Sequence, residues 1–147
     1  MAPPRTKVLE KQVTWETPIE QIWALLSSFG ALKAWMPIKS CTVDGHGIGT
    51  VRTVMAGGVA ASASRAYETL EVLDQEQHLI SYKVEFEGGQ VPTLYGNWKL
   101  ESRGEGSTTV TWWIDSKEAT EDAIPAIAAT FEPFVLEALR GLKKALS

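Results

Sequence analysis

Residues 17–26, Thr-Pro-Ile-Glu-Gln-Ile-Trp-Ala-Leu-Leu, predict a helix close to the start of the chain. Thr17 is of a type that favours the N-cap, Pro18 suits the first helical position, and Glu20 is an acid in the first turn. Apolar residues then follow at helical spacing until Gly30 ends the run. This helix matters for the fold because most of the chain outside it, up to residue 115, has the pattern of strands.

Outward from this helix the period of the apolar residues changes to two. Residues 8–15 predict a first strand, and a second short helix is predicted over 31–35. After that, runs of alternating side chains are separated by turn residues, which predicts consecutive hairpins and an antiparallel sheet. The six further strands are predicted at 38–44, 48–55, 62–73, 78–86, 94–101 and 108–115.

The helical period returns over 121–146, where one apolar stripe needs a covering surface. Pro133, in the middle, is expected to kink this helix. We therefore predict an α+β fold in one domain over 1–147: a curved seven-stranded antiparallel sheet around a long C-terminal helix, with two short helices after strand 1. Strands that curl around one helix leave a cavity wherever side chains are too small, although a packed core fits the pattern equally.

Composition excludes several classes of function. The chain has 147 residues, enough to bury a core without disulfides, and 14 basic against 18 acidic residues give a net charge of −4. No basic stretch is present, so nucleic acid is not an expected partner. Cys41, His46 and His78 are too few for a closed zinc site, and no cofactor is expected. Without a signal peptide or an apolar run near about 20 residues, we expect no membrane span and a cytoplasmic protein.

Several motifs, taken together, resemble the START-like helix-grip (SRPBCC) superfamily along essentially the whole chain. They are residues 17–26, Phe29-Gly30, Trp35-Met36-Pro37, Gly47-Ile48-Gly49-Thr50-Val51-Arg52, Glu68-Thr69-Leu70-Glu71-Val72-Leu73-Asp74, Ile80-Ser81-Tyr82 and Gly106-Ser107-Thr108-Thr109-Val110-Thr111-Trp112. The chain is most similar to the bacterial polyketide cyclase/dehydrase branch. That resemblance implies a hydrophobic aromatic or β-keto substrate, but the same scaffold also hosts lyases, lipid carriers and hormone receptors.

The resemblance also implies that two positions of this sequence belong to the pocket. Lys39-Ser40-Cys41 matches a segment where the superfamily's hormone receptors place a lysine that pairs with a ligand carboxylate, and Glu68 matches one of their pocket carboxylates. Their gate loop has no counterpart, because Ala56-Gly57-Gly58-Val59 differs in sequence, and their latch motif is missing before Leu94. A hormone-receptor mechanism is therefore not the first expectation.

Strand alternation predicts which side chains face a cavity. Glu68 shares its parity with apolar neighbours, so it is the candidate base, with Tyr82 beside it as the second catalytic candidate; a structural ion pair is the alternative role for Glu68. Lys39 or Arg52 would pair with it or anchor a substrate. Other candidate substrate contacts are Trp35, Trp98, Phe86, Ile127, Phe131 and Val135, whereas Trp23 and Trp112 are expected in the core.

The expected entrance lies near 56–60 and 88–92, where glycines permit loop motion. Alternation places Leu94 towards the cavity and Tyr95 away from it, but a bulge would exchange them, so both remain open.

Two functions that use a cavity remain, and a third possibility, a subunit that acts only through protein contacts, would have a filled core. The first is a cofactor-independent enzyme that cyclises, condenses or dehydrates its substrate, and this is the one we favour. The second is a non-catalytic carrier or sensor of a hydrophobic small molecule. Either would act as a monomer or homodimer.

Overall fold

The computed structural model describes residues 5–56, 65–88 and 91–147. Strand β1 is followed by helix α1 and a 3₁₀ helix, then by strands β2 to β7 and the long helix α2. Their bounds are β1 Thr6–Trp15, α1 Ile19–Ser27, 3₁₀ helix Phe29–Ala34, β2 Ile38–Asp44, β3 Val51–Ala56, β4 Arg65–Asp74, β5 Leu79–Phe86, β6 Leu94–Ser102, β7 Thr108–Ser116 and α2 Ile124–Ala145.

The strands form one seven-stranded sheet in the order β1-β7-β6-β5-β4-β3-β2, with every neighbouring pair antiparallel. β1 and β2 lie at opposite edges, although only α1 and the 3₁₀ helix separate them along the chain. The sheet curves around α2. The α+β, helix-grip architecture predicted from the sequence is confirmed.

The second half of α2 packs against the rest of the molecule. Val135, Ala138, Leu139 and Leu142 are buried there as part of one core cluster with the sheet and the short helices. Gly141 permits the closest approach, because a Cβ at this position would overlap the backbone carbonyl oxygen of Trp35. No helix of the described residues is long and apolar enough to span a bilayer.

The start of α1 differs in detail from the prediction. The N-cap position belongs to Pro18, and Thr17 does not cap the helix through its side chain. Its carbonyl oxygen instead accepts a hydrogen bond of 2.7 Å from the hydroxyl of Thr108 at the start of β7. The bond ties the β1–α1 connection to the sheet, which is a tertiary role that local sequence does not reveal.

The second strand has its predicted extent, whereas the third differs from its prediction. β3 begins at Val51 instead of residue 48, because Thr50 closes the preceding turn through two hydrogen bonds to the Gly47 carbonyl, from its backbone N–H at 3.1 Å and its hydroxyl at 2.6 Å. In the β2–β3 pair the register shifts between Ile38 and Ser40. This bulge matters for the site because Lys39 lies within it.

Candidate functional site

A cavity of about 400 Å³ lies between the concave face of the sheet and the middle of α2, residues 130–135. Its sheet side includes Ala66, Val84, Leu94 and Ile114, its helix side Phe131, Phe134 and Val135, and Leu32 and Met36 close one end. Thr130 and Pro133 line it although both are exposed, so the cavity opens along this part of α2. Its size is typical of a small-molecule site.

Glu68 supplies the only carboxylate of this wall within the described residues. Its partner across the β3–β4 ladder is Arg52, whose Nε donates to Glu68 Oε1 at 2.6 Å. The Arg52 side chain is 4% exposed and that of Glu68 14%. No hydrogen bond from the described part of the chain reaches Glu68 Oε2, so this oxygen is available to a ligand.

Arg52 is fixed from behind the wall. Its Nη1 donates to the carbonyl oxygen of Phe29 at 3.0 Å, and its guanidinium lies 3.8 Å from the centroid of the Phe29 ring. The 3₁₀ helix that begins at Phe29 thereby positions the arginine, and the arginine positions Glu68. A buried cation in contact with an aromatic face and hydrogen-bonded on two nitrogens holds one orientation.

Tyr82 contributes the second polar group of the wall. It stands opposite Gly96 in the β5–β6 ladder, and a Cβ at Gly96 would come within 2.6 Å of the Tyr82 hydroxyl oxygen, so the ring crosses a strand position that has no side chain. Trp98 Nε1 donates to this oxygen at 3.3 Å. Burial, and next the charge of Glu68, raise the pKa of Tyr82 to about 12. The hydroxyl therefore stays protonated and can donate.

Glu68 and Tyr82 are neighbours on the same face. Glu68 pairs with Val84 across β4 and β5, and Tyr82 is two residues before Val84 on the same strand. Diagonal neighbours of this kind lie about 7–8 Å apart between Cα atoms, within reach of one small ligand. Apart from the Thr130 hydroxyl, which donates to the Ala126 carbonyl oxygen at 2.9 Å, Glu68 and Tyr82 are thus the acceptor and the donor of an otherwise apolar lining.

The structure brings five of the ten predicted site residues into the cavity wall: Glu68, Tyr82, Phe86, Phe131 and Val135. Arg52 is not in the wall but supports Glu68. Of the pair left open, Leu94 lines the cavity, and Tyr95 lies on the other face, where the Arg5 guanidinium is 3.8 Å from its ring centroid. Alternation was a sound guide wherever the ladder is regular.

Lys39 is the first correction. It is exposed and absent from the cavity wall, because the register shift between Ile38 and Ser40 leaves it opposite no residue of β3. Ile38 faces the cavity, and a strict period of two cannot continue through a bulge. The matched lysine position therefore does not reach the cavity.

The tryptophans are the second correction. Trp98 stacks on Trp112 with 4.2 Å between ring centroids, and Trp35 contacts Trp98 edge to face at 5.7 Å. Only Trp112 of these three lines the cavity, whereas Trp98 and Trp35 are buried behind it. The prediction that Trp112 lies in the core is confirmed, and the same side chain also borders the cavity. All three have inward positions, and only the path of α2 decides which one meets the cavity.

Ile127 is the third correction. It is half-buried against the core cluster but does not line the cavity, because the part of α2 that borders the cavity begins at Thr130. Sequence analysis also missed Gly96, for which a signal was available: a glycine inside a strand marks a close approach of another group.

The predicted entrance segments lie mostly outside the described residues, which leave out 57–64 and 89–90. Beside them, Val91 and Phe86 line the cavity. The Phe86 ring lies 5.5 Å from that of Phe131 between centroids, so the two aromatic side chains join the end of β5 to α2 at the open side.

The described residues contain no group of three or more histidine, cysteine, aspartate or glutamate side chains that could hold a metal ion. Cys41, on the inner side of β2, is half-buried, and burial raises the pKa of its thiol. A thiol protonated in this way is a poor nucleophile. Glu68 and Tyr82 are therefore the two titratable groups of the wall within the described residues.

A curved antiparallel sheet closed over one long helix, with a cavity between them, defines the START-like helix-grip class of proteins. Within it, the chain belongs to the family described as polyketide cyclase / dehydrase and lipid transport, which it matches over residues 6–147.

Individual relatives have diverse functions. The abscisic acid receptor PYL6 of Arabidopsis thaliana is 38% identical over 74 residues, which are 47% of this chain and 34% of the receptor. Major latex-like protein 151 of Panax ginseng shares the fold with a TM-score of 0.78 at 19% identity, covering 97% of each chain. The Zhui aromatase/cyclase of Streptomyces sp. R1128 has a TM-score of 0.74 at 20% identity, covering 97% of this chain and 94% of its own. Identities this low show the fold alone.

Proposed function

We propose that the protein is an enzyme of the polyketide cyclase/dehydrase type, which cyclises, condenses or dehydrates a hydrophobic aromatic or β-keto substrate without a cofactor. The observation that supports this most is that Glu68 and Tyr82 lie near each other on the wall of an apolar cavity. One group can accept a proton and the other, with its pKa near 12, can donate a hydrogen bond.

Enolisation is the step that such a pair performs. Glu68 Oε2 takes a proton from the carbon next to a substrate carbonyl, and the electron pair moves to the carbonyl oxygen, where the Tyr82 hydroxyl stabilises the enolate. The enolate carbon then attacks a second carbonyl of the same chain, and the new alkoxide takes the proton from Glu68, which regenerates the carboxylate. Loss of the hydroxyl with a further α-proton, as water, gives the unsaturated ring.

The apolar wall contributes by holding the substrate folded. A flexible keto chain confined beside Phe131 and Val135 brings its reacting carbons together, which supplies much of the rate of an intramolecular reaction. Arg52 keeps the Glu68 carboxylate in one rotamer, with Oε1 occupied and with no hydrogen bond from the described residues to Oε2. The proton acceptor thus has a fixed direction before the substrate arrives.

A carrier of hydrophobic small molecules is the second candidate, and one observation favours it. The charge of Glu68 is already balanced by Arg52 in a contact of 2.6 Å, as in a structural ion pair. Such a cavity would hold a ligand without changing it. The two candidates differ only in whether a proton leaves the ligand.

Proton exchange separates the two functions directly. The bicyclic ketone 2-tetralone is incubated with the protein in D2O, and loss of its α-proton signals is followed by NMR while its Kd is measured by calorimetry. An enzyme accelerates the exchange. Glu68→Gln should lower the rate by about 10²–10⁴-fold, and Tyr82→Phe by about 10²-fold, each with Kd changed only a few-fold.

Glu85→Gln is the matched control, because Glu85 is an exposed carboxylate on β5 that points to the opposite face from Tyr82. Its exchange rate should equal that of the wild type. A wild type that binds 2-tetralone without accelerating exchange would identify a carrier, and exchange unchanged in Glu68→Gln would remove Glu68 from the mechanism.

A further inference from the structure

The cavity wall carries a charge balance that restricts its ligands. Within the described residues Glu68 is the one ionised group of the wall, and no lysine, arginine or histidine lines it. Arg52 balances Glu68 from behind with a side chain that is 4% exposed. The Glu68–Arg52 pair has no net charge, so the charge of Arg52 cannot also balance that of a ligand.

Among the described residues, no basic side chain other than that of Arg52 reaches this place. Segments 57–64, Gly-Gly-Val-Ala-Ala-Ser-Ala-Ser, and 89–90, Gly-Gln, contain no basic residue in the sequence. Lys39 is exposed in the β2 bulge. Lys83 alternates with the inward-facing Tyr82 and Val84, so it belongs to the outer face of β5.

A charged ligand is therefore disfavoured whatever its sign. A carboxylate would place a second negative charge beside Glu68, without a cation to pair with it. An ammonium group would face a carboxylate whose charge Arg52 has already balanced, so the apolar cavity would retain a net positive charge. Burying an unpaired ion is among the most costly events in a protein interior.

The hydrogen-bonding groups favour one kind of neutral ligand. Glu68 Oε2 can only accept, and the Tyr82 hydroxyl, whose oxygen already accepts from Trp98, can donate. One ligand hydroxyl satisfies both, since it donates to the carboxylate and accepts from the phenol. A ketone or an ether satisfies Tyr82 alone.

We infer that the cavity selects uncharged aromatic ligands that carry a phenolic or enolic hydroxyl and rejects carboxylic acids. This inference deepens the proposed function, on which it rests for the use of this cavity, by naming the form of the substrate or product that binds best.

Four naphthalenes of similar shape test it: 2-naphthol, 2-methoxynaphthalene, 2-naphthoate and 2-naphthylmethylammonium, with Kd measured by calorimetry at pH 7. We expect 2-naphthol to bind at least tenfold more tightly than each of the others. Equal or tighter binding of 2-naphthoate or of the ammonium compound would overturn the inference, and so would no binding of 2-naphthol.

A charge change gives the second test. Glu68→Gln leaves Arg52 without its counter-charge, so the ratio of the 2-naphthoate Kd to the 2-naphthol Kd should fall at least tenfold. Glu85→Gln, on the outer face, should leave the ratio unchanged. An unchanged ratio in a folded Glu68→Gln protein contradicts the inference; if that variant does not fold, the wild-type ranking decides alone.

The outcomes remain distinct from those for catalysis. Preferred binding of 2-naphthol without exchange of 2-tetralone protons would reject the proposed enzyme and leave the ligand class standing. Tight binding of 2-naphthoate together with normal exchange of the 2-tetralone protons would reject the ligand class and leave the proposed enzyme standing.

Discussion

Tyr82 titrates at a different pH in the folded and the unfolded chain, so the free energy of unfolding depends on pH. Burial and the Glu68 charge raise its pKa from 10.0 to about 12. A raised pKa means that the folded state holds the proton more tightly, so this stabilisation is complete below pH 10 and is lost as the pH rises towards 12. The loss amounts to about 2–3 kcal/mol.

Urea unfolding of the wild type and of Tyr82→Phe at several alkaline pH values measures this effect. Because lysines also titrate there, the relevant quantity is the difference in unfolding free energy between the two proteins. It should be constant below pH 10 and move in favour of Tyr82→Phe above it. A difference that does not depend on pH would show that the hydroxyl is not buried as described.

At the scale of the residue, the sequence predicts the face of the strand on which a side chain lies. It predicts less well which residues that side chain contacts. The positions of Glu68 and Tyr82 follow from alternation along regular strands. Lys39 could not be placed, because a bulge is set by the pairing of two strands and not by the residue itself. Trp98 and Trp112 share the inward face, and only the packing of α2 decides which of them borders the cavity.

At the scale of elements, Gly141 sets how closely α2 approaches the segment after the 3₁₀ helix. Alanine normally stabilises a helix interior by about 1 kcal/mol relative to glycine. Here the added Cβ would overlap the Trp35 carbonyl oxygen, which belongs to the backbone and cannot rotate away. We expect Gly141→Ala to lower the free energy of unfolding by about 1–3 kcal/mol.

Denaturant unfolding measures this loss, and Ala126→Gly calibrates it, because Ala126 is an exposed position of α2 where only helix propensity changes. That control should cost about 1 kcal/mol. If Gly141→Ala proved more stable than the wild type, the helix would have to lie farther from Trp35 than described.

All seven strands and three helices were predictable as elements, because their periods are regular, but their ends were not. Helix α1 lacks its expected Thr17 side-chain cap, and β3 starts after a turn that Thr50 closes. Both differences depend on hydrogen bonds between particular atoms. A hydrophobic period carries no information about those bonds.

In the whole molecule, α2 has a middle part, residues 130–135, that borders the cavity, and a later part, with Ala138, Leu139 and Leu142, that belongs only to the core. Phe131 lines the cavity and is half-buried, whereas Leu142 is fully buried. We expect Phe131→Ala to weaken 2-naphthol binding about tenfold with a small loss of stability. Leu142→Ala should cost about 2–5 kcal/mol of unfolding free energy and leave the Kd within about two-fold.

Calorimetric titration and urea unfolding of both variants, at a temperature where each is folded, measure this division. Loss of binding in Leu142→Ala without loss of stability would contradict it. The sequence does not predict which part of α2 borders the cavity, because the apolar stripe has the same spacing along the whole helix.

The pairing of β1 with β7 has a consequence for how the chain is made. Trp15 stands opposite Thr108, so the first strand of this sheet is synthesised long before the strand that pairs with it. At about 5–20 residues per second, translation takes roughly 5–20 s to span this interval. Throughout that time β1 lacks its neighbour, and its charged residues Lys7, Glu10 and Lys11 disfavour pairing with other nascent chains.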